Sequence, residues 1–376
     1  MWCRILSSRE IPQISSEDPP FFLKLSDVPP GILSNLKVII SEYIPQIGFF
    51  PAKEKNSFFL TGSFLSYQRL CKKLNEQGLN DLSIIIKNTL DNFQRKSYNL
   101  SFPSKSINLA EKVAVMGILN LTPYSFYDGG KYKGEKEILN RVEQMVEEGA
   151  DIIDIGGEST RPGALPVTEK EEIKRVIPYI RKITHLFDIP VSIDTYKSKV
   201  AISALEEGAQ MVNDISGLRF DPEMVKVVSS YNVPVVIMHI KGTPRNMQNN
   251  PRYESLMDEI ISYLDDGIQR AVRAGIDPEK IIVDPGIGFG KTVEHNLFIL
   301  KRLSELKVLG KPILIGVSRK SFIGKVLGLP VEKRLTGSLA ASCIAVMEGA
   351  RIVRTHDVKE TREVVDLTDA ILKSKV

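Results

Sequence analysis

From Lys112 onward the chain alternates short, continuous apolar runs with longer amphipathic stretches. The runs are Val113–Leu119, Asp151–Ile155, Pro190–Ile193, Met211–Ile215, Pro234–Met238, Ile281–Val283, Pro312–Val317 and Arg351–Thr355. Unbroken Val/Ile-rich stretches of this length suit parallel strands covered on both faces. Between them, Glu135–Glu148, Glu169–Leu186, Lys199–Glu207, Tyr253–Arg273 and Val293–Leu306 carry helical spacing and charge. Eight strand–helix units within residues 111–376 predict an α/β protein whose larger part is a (β/α)8 TIM barrel. A doubly wound sheet is the alternative, but no Gly-x-Gly-x-x-Gly opens the first helix to support it.

Residues 1–110 lack this regularity. Pro19-Pro20, Pro29-Pro30 and Pro51 interrupt short apolar runs such as Val38–Ile40 and Phe58–Leu60. Helical spacing appears at 63–78 and 80–95, and Ser101–Ser106 reads as a linker. The expectation is a smaller N-terminal α/β domain, residues 1–110, with no chemical site of its own.

Composition adds limits. The 376 residues are 43% hydrophobic and 26% charged, which excludes a disordered or fibrous chain. The net charge is +4, and residues 1–110 carry all of it, with 13 basic against 9 acidic side chains. A neutral barrel half argues against a nucleic-acid partner. Three scattered cysteines, Cys3, Cys71 and Cys343, fit a reducing compartment and no disulfide scaffold. With no secretory signal pattern and no bilayer-length apolar run, a cytoplasmic location and no membrane partner are expected.

A barrel of this kind holds its chemistry where the strands end. The residues following the runs are Asn120, Gly156–Arg161, Asp194-Thr195, Asn213-Asp214, His239, Asp284–Gly286, Ser318–Ser321, and Arg354 with His356-Asp357. Taken singly, Asn120, Asp194 or Asp284 serves as well as a cap, Lys320 as a solvated charge and His239 as a packed core residue. Their recurrence on one rim points to a site instead. Arg354 and His356, two apart, project from the same side and with Arg161 form a cationic corner for a phosphate-like anion. Asp194, Asn213 and Asp284 offer acceptors and an amide donor to a flat nitrogen heterocycle. Gly286–Thr292 fits neither a P-loop, because Pro285 replaces its first glycine, nor a dinucleotide fingerprint, because Lys291 replaces a required one. Four scattered histidines speak against zinc, whereas Mg2+ held by an oxygen such as that of Asn120 needs no such motif.

In order along the barrel half stand Gly117–Gly130, Asp154–Gly163, Ser192–Thr195, Asn213–Gly217, Met238-His239 leading to Gly242–Pro244, Asp284–Gly286, Ser318–Ser321 and Arg354–Val358. Together these stretches closely resemble dihydropteroate synthase, a pterin-binding TIM-barrel family, over about residues 111–376. The resemblance implies condensation of 6-hydroxymethyl-7,8-dihydropterin diphosphate with 4-aminobenzoate, by an SN1-like path through a pterin cation. It assigns Asp194, Asn213, Met238, Asp284 and Lys320 to the pterin, and Asn120, Thr160, Arg354 and His356 to the diphosphate. Asn120 also takes Mg2+. Phe126, Pro162, Phe289 and Ser321 would shape the aminobenzoate pocket, and Asp128, Arg161 and Lys320 would act at the reacting centre. Tyr124 departs from the aspartate the family usually carries there. A homodimer is expected from the family alone. A corrinoid methyltransferase barrel would share the pterin edge but has no need of the anion corner.

Overall fold

The computed structural model describes residues 2–6, 21–52, 54–122, 134–161 and 163–374. The chain divides into two compact units, the first holding residues 1–96 with 304–310 and the second the remainder.

In the first unit, strands β1 (Trp2–Leu6), β2 (Phe21–Ser26), β3 (Gly48–Pro51) and β4 (Phe58–Gly62) form an antiparallel sheet in the order β1-β2-β4-β3. Helices α1 (Pro30–Tyr43), α2 (Phe64–Glu76) and α3 (Asn80–Gln94) complete it. Leu23, Leu25 and Leu60 of the sheet are fully buried, as are Leu36, Leu70, Leu74 and Ile86 of the helices. Ser63 starts α2 by accepting the Ser66 amide at 3.1 Å, which satisfies one of the donors a helix start leaves open. The returning segment 304–310 contributes Glu305, whose carboxylate accepts from buried Arg4 at 2.6 Å.

The second unit opens with a hairpin, β5 (Asn99–Ser101) and β6 (Ser106–Asn108). Eight parallel strands then close into a barrel: β7 (Ala114–Asn120), β8 (Ile152–Gly156), β9 (Val191–Asp194), β10 (Met211–Asp214), β11 (Val235–Met238), β12 (Ile281–Asp284), β13 (Ile313–Ile315) and β14 (Ala350–Thr355). Each lies on one of the apolar runs. The helices between them are α4 (Glu135–Glu147), α5 (Glu169–Leu186), α6 (Ser198–Glu206), α7 (Met224–Tyr231), α8 (Leu256–Arg273), α9 (Val293–Lys301), α10 (Ser321–Leu327) and α11 (Leu335–Met347). Helix α12 (Val358–Lys373) follows the last strand.

Two sequence expectations are corrected. The stretch 101–106 is not a linker but the turn and flanks of the β5–β6 hairpin. Its neighbours Tyr98, Leu100, Phe102, Ile107 and Leu109 join one buried cluster with Met116, Ile152, Met211, Val236, Ile282, Leu314 and Ile352 of the barrel floor. An apolar barrel floor needs a cover, and this hairpin supplies it. The helical pattern over Val293–Leu306 also breaks: α9 ends at Lys301 and Leu303–Leu309 tightens into a 3₁₀ segment. Contacts within the first unit override the local periodicity there, including the Asn92 amide donating to the Val308 carbonyl at 2.8 Å.

Side chains two apart along a strand share a face. Two residues beyond the apolar floor, the interior therefore becomes Ile118, Asp154, Asn213, Met238, Asp284, Gly316 and Arg354. Polarity rises steeply toward the C-terminal rim.

Candidate active site

Asp154, on β8, is fully buried and anchors this polar layer. Its Oδ2 accepts from Arg354 Nε at 2.6 Å and from Asn213 Nδ2 at 3.0 Å. Arg354 also donates through Nη2 to Asp194 Oδ2 at 2.7 Å. The strand ends thus bring Asp194, Asn213 and Arg354 into one network, with Arg354 neutralising two carboxylates. Burial pushes the Asp194 carboxyl above its usual range; Arg354 pulls it back and Asp154 pushes it further up. Asp194 Oδ1 has no hydrogen-bond partner among the described residues. The Asn213 amide spends one of its N–H donors on Asp154.

Asp284 ends β12 nearby. Its Oδ1 accepts the Gly286 amide at 2.6 Å, and burial raises its pKa against the opposing charge of Lys320. Gly286 has φ of +68°, and a Cβ there would fall 1.9 Å from the His239 carbonyl oxygen, so only glycine permits this turn. Lys320 sits over the Phe289 ring at 4.6 Å and donates to the Ile287 carbonyl. Burial lowers its pKa to about 8, while Asp284 resists the fall.

The corner expected to hold three cations, Arg161, Arg354 and His356, is more varied. His356 lies just beyond β14, and burial with the charges of Arg354, Arg319, Arg161 and Arg141 drops its pKa to about 3. It is therefore a neutral imidazole and contributes a hydrogen bond, not a charge. Ser318 Oγ accepts the His356 amide at 3.2 Å and lies 3.0 Å from Nδ1. A hydroxyl proton given to Nδ1 leaves Nε2 as the ring donor. Arg161, on the loop after β8, is close enough to act on His356 electrostatically.

Several supporting residues were given no individual role by the sequence. Arg319 is buried, at φ +52°, and grips Asp357 with two bonds of 2.9 and 2.7 Å. It also donates to the Glu332 carbonyl at 2.8 Å, fixing the turn that carries Ser318 and Lys320. Glu158 accepts from Tyr196 Oη at 2.8 Å and from Lys197, tethering the start of the Thr160–Arg161 loop. Lys291 is buried, with Nζ 2.8 Å from His239 Nδ1 and donating to the Phe289 carbonyl at 3.0 Å. His239 packs edge-on against Tyr263 and is a core residue. Asp154 had one legible signal, a carboxylate inside a strand otherwise meant to be apolar on both faces.

Of the remaining sequence-derived residues, Met238 is buried at the end of β11 and Thr160 is half-buried on its loop. Asn120 is half-buried at the end of β7, and Ser321 is the exposed first residue of α10. Phe126, Asp128 and Pro162, with Tyr124, lie outside the described residues.

Residues 116–356 match the family model described as pterin binding enzyme. The dihydropteroate synthase of Clostridium beijerinckii is 49% identical over 271 residues, covering 72% of this chain and 98% of that protein. The chain belongs to the dihydropteroate synthase family. Among solved structures of that family, the Clostridium difficile enzyme in the presence of pteroic acid superposes with a TM-score of 0.66 at 46% identity. It covers 70% of this chain and 98% of its own. The Thermus thermophilus dihydropteroate synthase in complex with 4-aminobenzoate gives 0.65 at 40% identity, covering 73% and 99%. The barrel rim described above is therefore that of a dihydropteroate synthase-type enzyme. No helix among the described residues is long and apolar enough to cross a membrane.

Proposed function

We propose that the barrel, residues 111–376, joins 6-hydroxymethyl-7,8-dihydropterin diphosphate to 4-aminobenzoate, giving 7,8-dihydropteroate and pyrophosphate. The observation that carries this reading is the network in which Arg354 holds Asp194 directly and Asn213 through Asp154, beside buried Asp284. A pterin presents N–H donors along one edge, and the carboxylates of Asp194 and Asp284 and the outward Asn213 oxygen accept them. Met238 packs against the ring, and Lys320 meets its acceptor edge beside Asp284. Arg354, His356, Asn120 and Thr160 take the diphosphate.

The reaction is the departure of pyrophosphate with the bonding electron pair of the methylene C–O bond. Arg354, Arg161 and the neutral His356 donor stabilise the charge it gains. The electron-deficient methylene that remains is conjugated with the ring, which supports an SN1-like path. The aryl amine then forms the C–N bond and loses its proton. Phe289 and Ser321, with Phe126 and Pro162, shape the aminobenzoate pocket, and Asp128 and Arg161 close over the centre to exclude water.

Among the described residues, no group of three His, Cys, Asp or Glu side chains is arranged to hold a metal. The single Asn120 oxygen instead suits Mg2+ bound mainly by phosphate oxygens and water. When bound, it would neutralise part of the diphosphate charge. Relatives solved with pteroic acid and with 4-aminobenzoate support this substrate pair. The homodimer reading is supported by exposed Ile344, Met347, Leu367 and Ile371 on α11 and α12, and a cytoplasmic one by three free cysteines.

The test is pyrophosphate release with each substrate omitted in turn. Release requiring both supports the synthase; release indifferent to 4-aminobenzoate contradicts it. The pH profile is a second check. Lys320 carries its charge below about pH 8 in the free enzyme, so kcat/KM for the pterin substrate is expected to fall as pH rises past that value. A profile flat to pH 10 removes Lys320 from pterin binding.

A further inference from the structure

We propose that Asp154 is a positioning residue: from beneath the slot it sets the direction of the Asn213 amide and fixes Arg354 between the heterocycle edge and the anion corner. The proposal rests on the pterin-diphosphate reading of the site.

The Asn213 NH2 donates to Asp154 Oδ2 at 3.0 Å, which turns the amide oxygen away from Asp154 and leaves it for a ring N–H. A neutral or apolar residue at position 154 leaves the amide free to turn, and a turned amide offers a donor to a donor. Arg354 is constrained by the same atom. A planar guanidinium held at Nε by Asp154 and at Nη2 by Asp194 cannot rotate, so its remaining donors face one direction. Both constraints pass through Oδ2 of the fully buried Asp154.

The cost of this arrangement also indicates a positioning role. Asp154 is fully buried, and its Oδ1 has no hydrogen-bond partner among the described residues. The same holds for the hydroxyl of Ser192, its register neighbour on β9. Buried charges contribute little net stability compared with well-packed apolar residues, and an unpartnered buried oxygen is unfavourable. A carboxylate held under those conditions by Asn213 and Arg354 acts through geometry.

The experiment tests Asp154→Asn in the full-length chain. Asp154→Asn is expected to raise the KM for pterin diphosphate about tenfold, the loss of roughly one charge-assisted hydrogen bond. The Kd for 6-hydroxymethyl-7,8-dihydropterin should rise in parallel, with the KM for 4-aminobenzoate unchanged. Circular dichroism and titration stoichiometry count the folded fraction, and a merely structural role lowers that fraction without moving KM. An unchanged pterin KM in Asp154→Asn overturns the proposal. If the wild-type chain makes no dihydropteroate, the reading of the site fails and takes this proposal with it.

Discussion

Arg354→Ala is expected to lower kcat/KM for pterin diphosphate by about a thousandfold, the largest effect of any single substitution on the rim. Two losses combine. The anion corner loses its most central cation, and the buried carboxylates of Asp154 and Asp194 lose the charge that neutralises both. Removing one member of a buried ion pair costs about 3–5 kcal/mol, and the partial exposure of Arg354 places the stability loss toward the lower end. Asp194 is then pushed further toward its protonated form, which no longer accepts two ring donors. Free dihydropterin binding should therefore weaken together with pyrophosphate binding. Arg354→Lys should recover little, because one ammonium cannot hold the two carboxylates in a fixed plane. Steady-state kinetics, thermal melts and calorimetry with inorganic pyrophosphate check these outcomes. Wild-type affinity for pyrophosphate in Arg354→Ala would move the anion site elsewhere.

Arg319→Ala is expected to destabilise the barrel by about 3–5 kcal/mol although its side chain touches no substrate position. The guanidinium satisfies Asp357 with two bonds and reaches the carbonyls of Val331 and Glu332, so its loss takes both bonds from a buried carboxylate and this donor from the Glu332 carbonyl. Its backbone sits at φ +52°, unfavourable for a non-glycine residue of this size unless the side-chain bonds hold it. Releasing that turn also frees Ser318 from His356 and Lys320 from the Ile287 carbonyl, so activity should fall with stability. Urea unfolding of the variant measures the first effect. A loss below about 1 kcal/mol, the size of an ordinary surface substitution, contradicts the anchoring role.

The barrel was legible because its strands are buried on both faces, and such strands leave unbroken Val/Ile-rich runs that recur in alternation with helical stretches. The rim was legible for a related reason: Asn120, Asp194, Asp284 and Arg354 each end an apolar run, and a polar residue there stands out. What stayed hidden depends on partners far apart in sequence. Asp154 joins Asn213 and Arg354 from three strands, and no spacing rule links those positions. His356 looks like a cation beside Arg354, yet burial among four arginines leaves it neutral. The hairpin around Ser101–Ser106 looked like a linker because its polar turn conceals flanking residues that cover the barrel floor. The 3₁₀ segment at Leu303–Leu309 follows from contacts within the first unit that local periodicity does not encode.

The central claim is that this rim builds a C–N bond between a pterin methylene and an aryl amine. Incubating the purified chain with Mg2+, pterin diphosphate and 4-aminobenzoate, then separating the products by chromatography, tests it most directly. The account predicts 7,8-dihydropteroate and pyrophosphate in equal amounts, with neither formed by Arg354→Ala at a comparable rate. Pyrophosphate accompanied by free hydroxymethyldihydropterin and no dihydropteroate would contradict it.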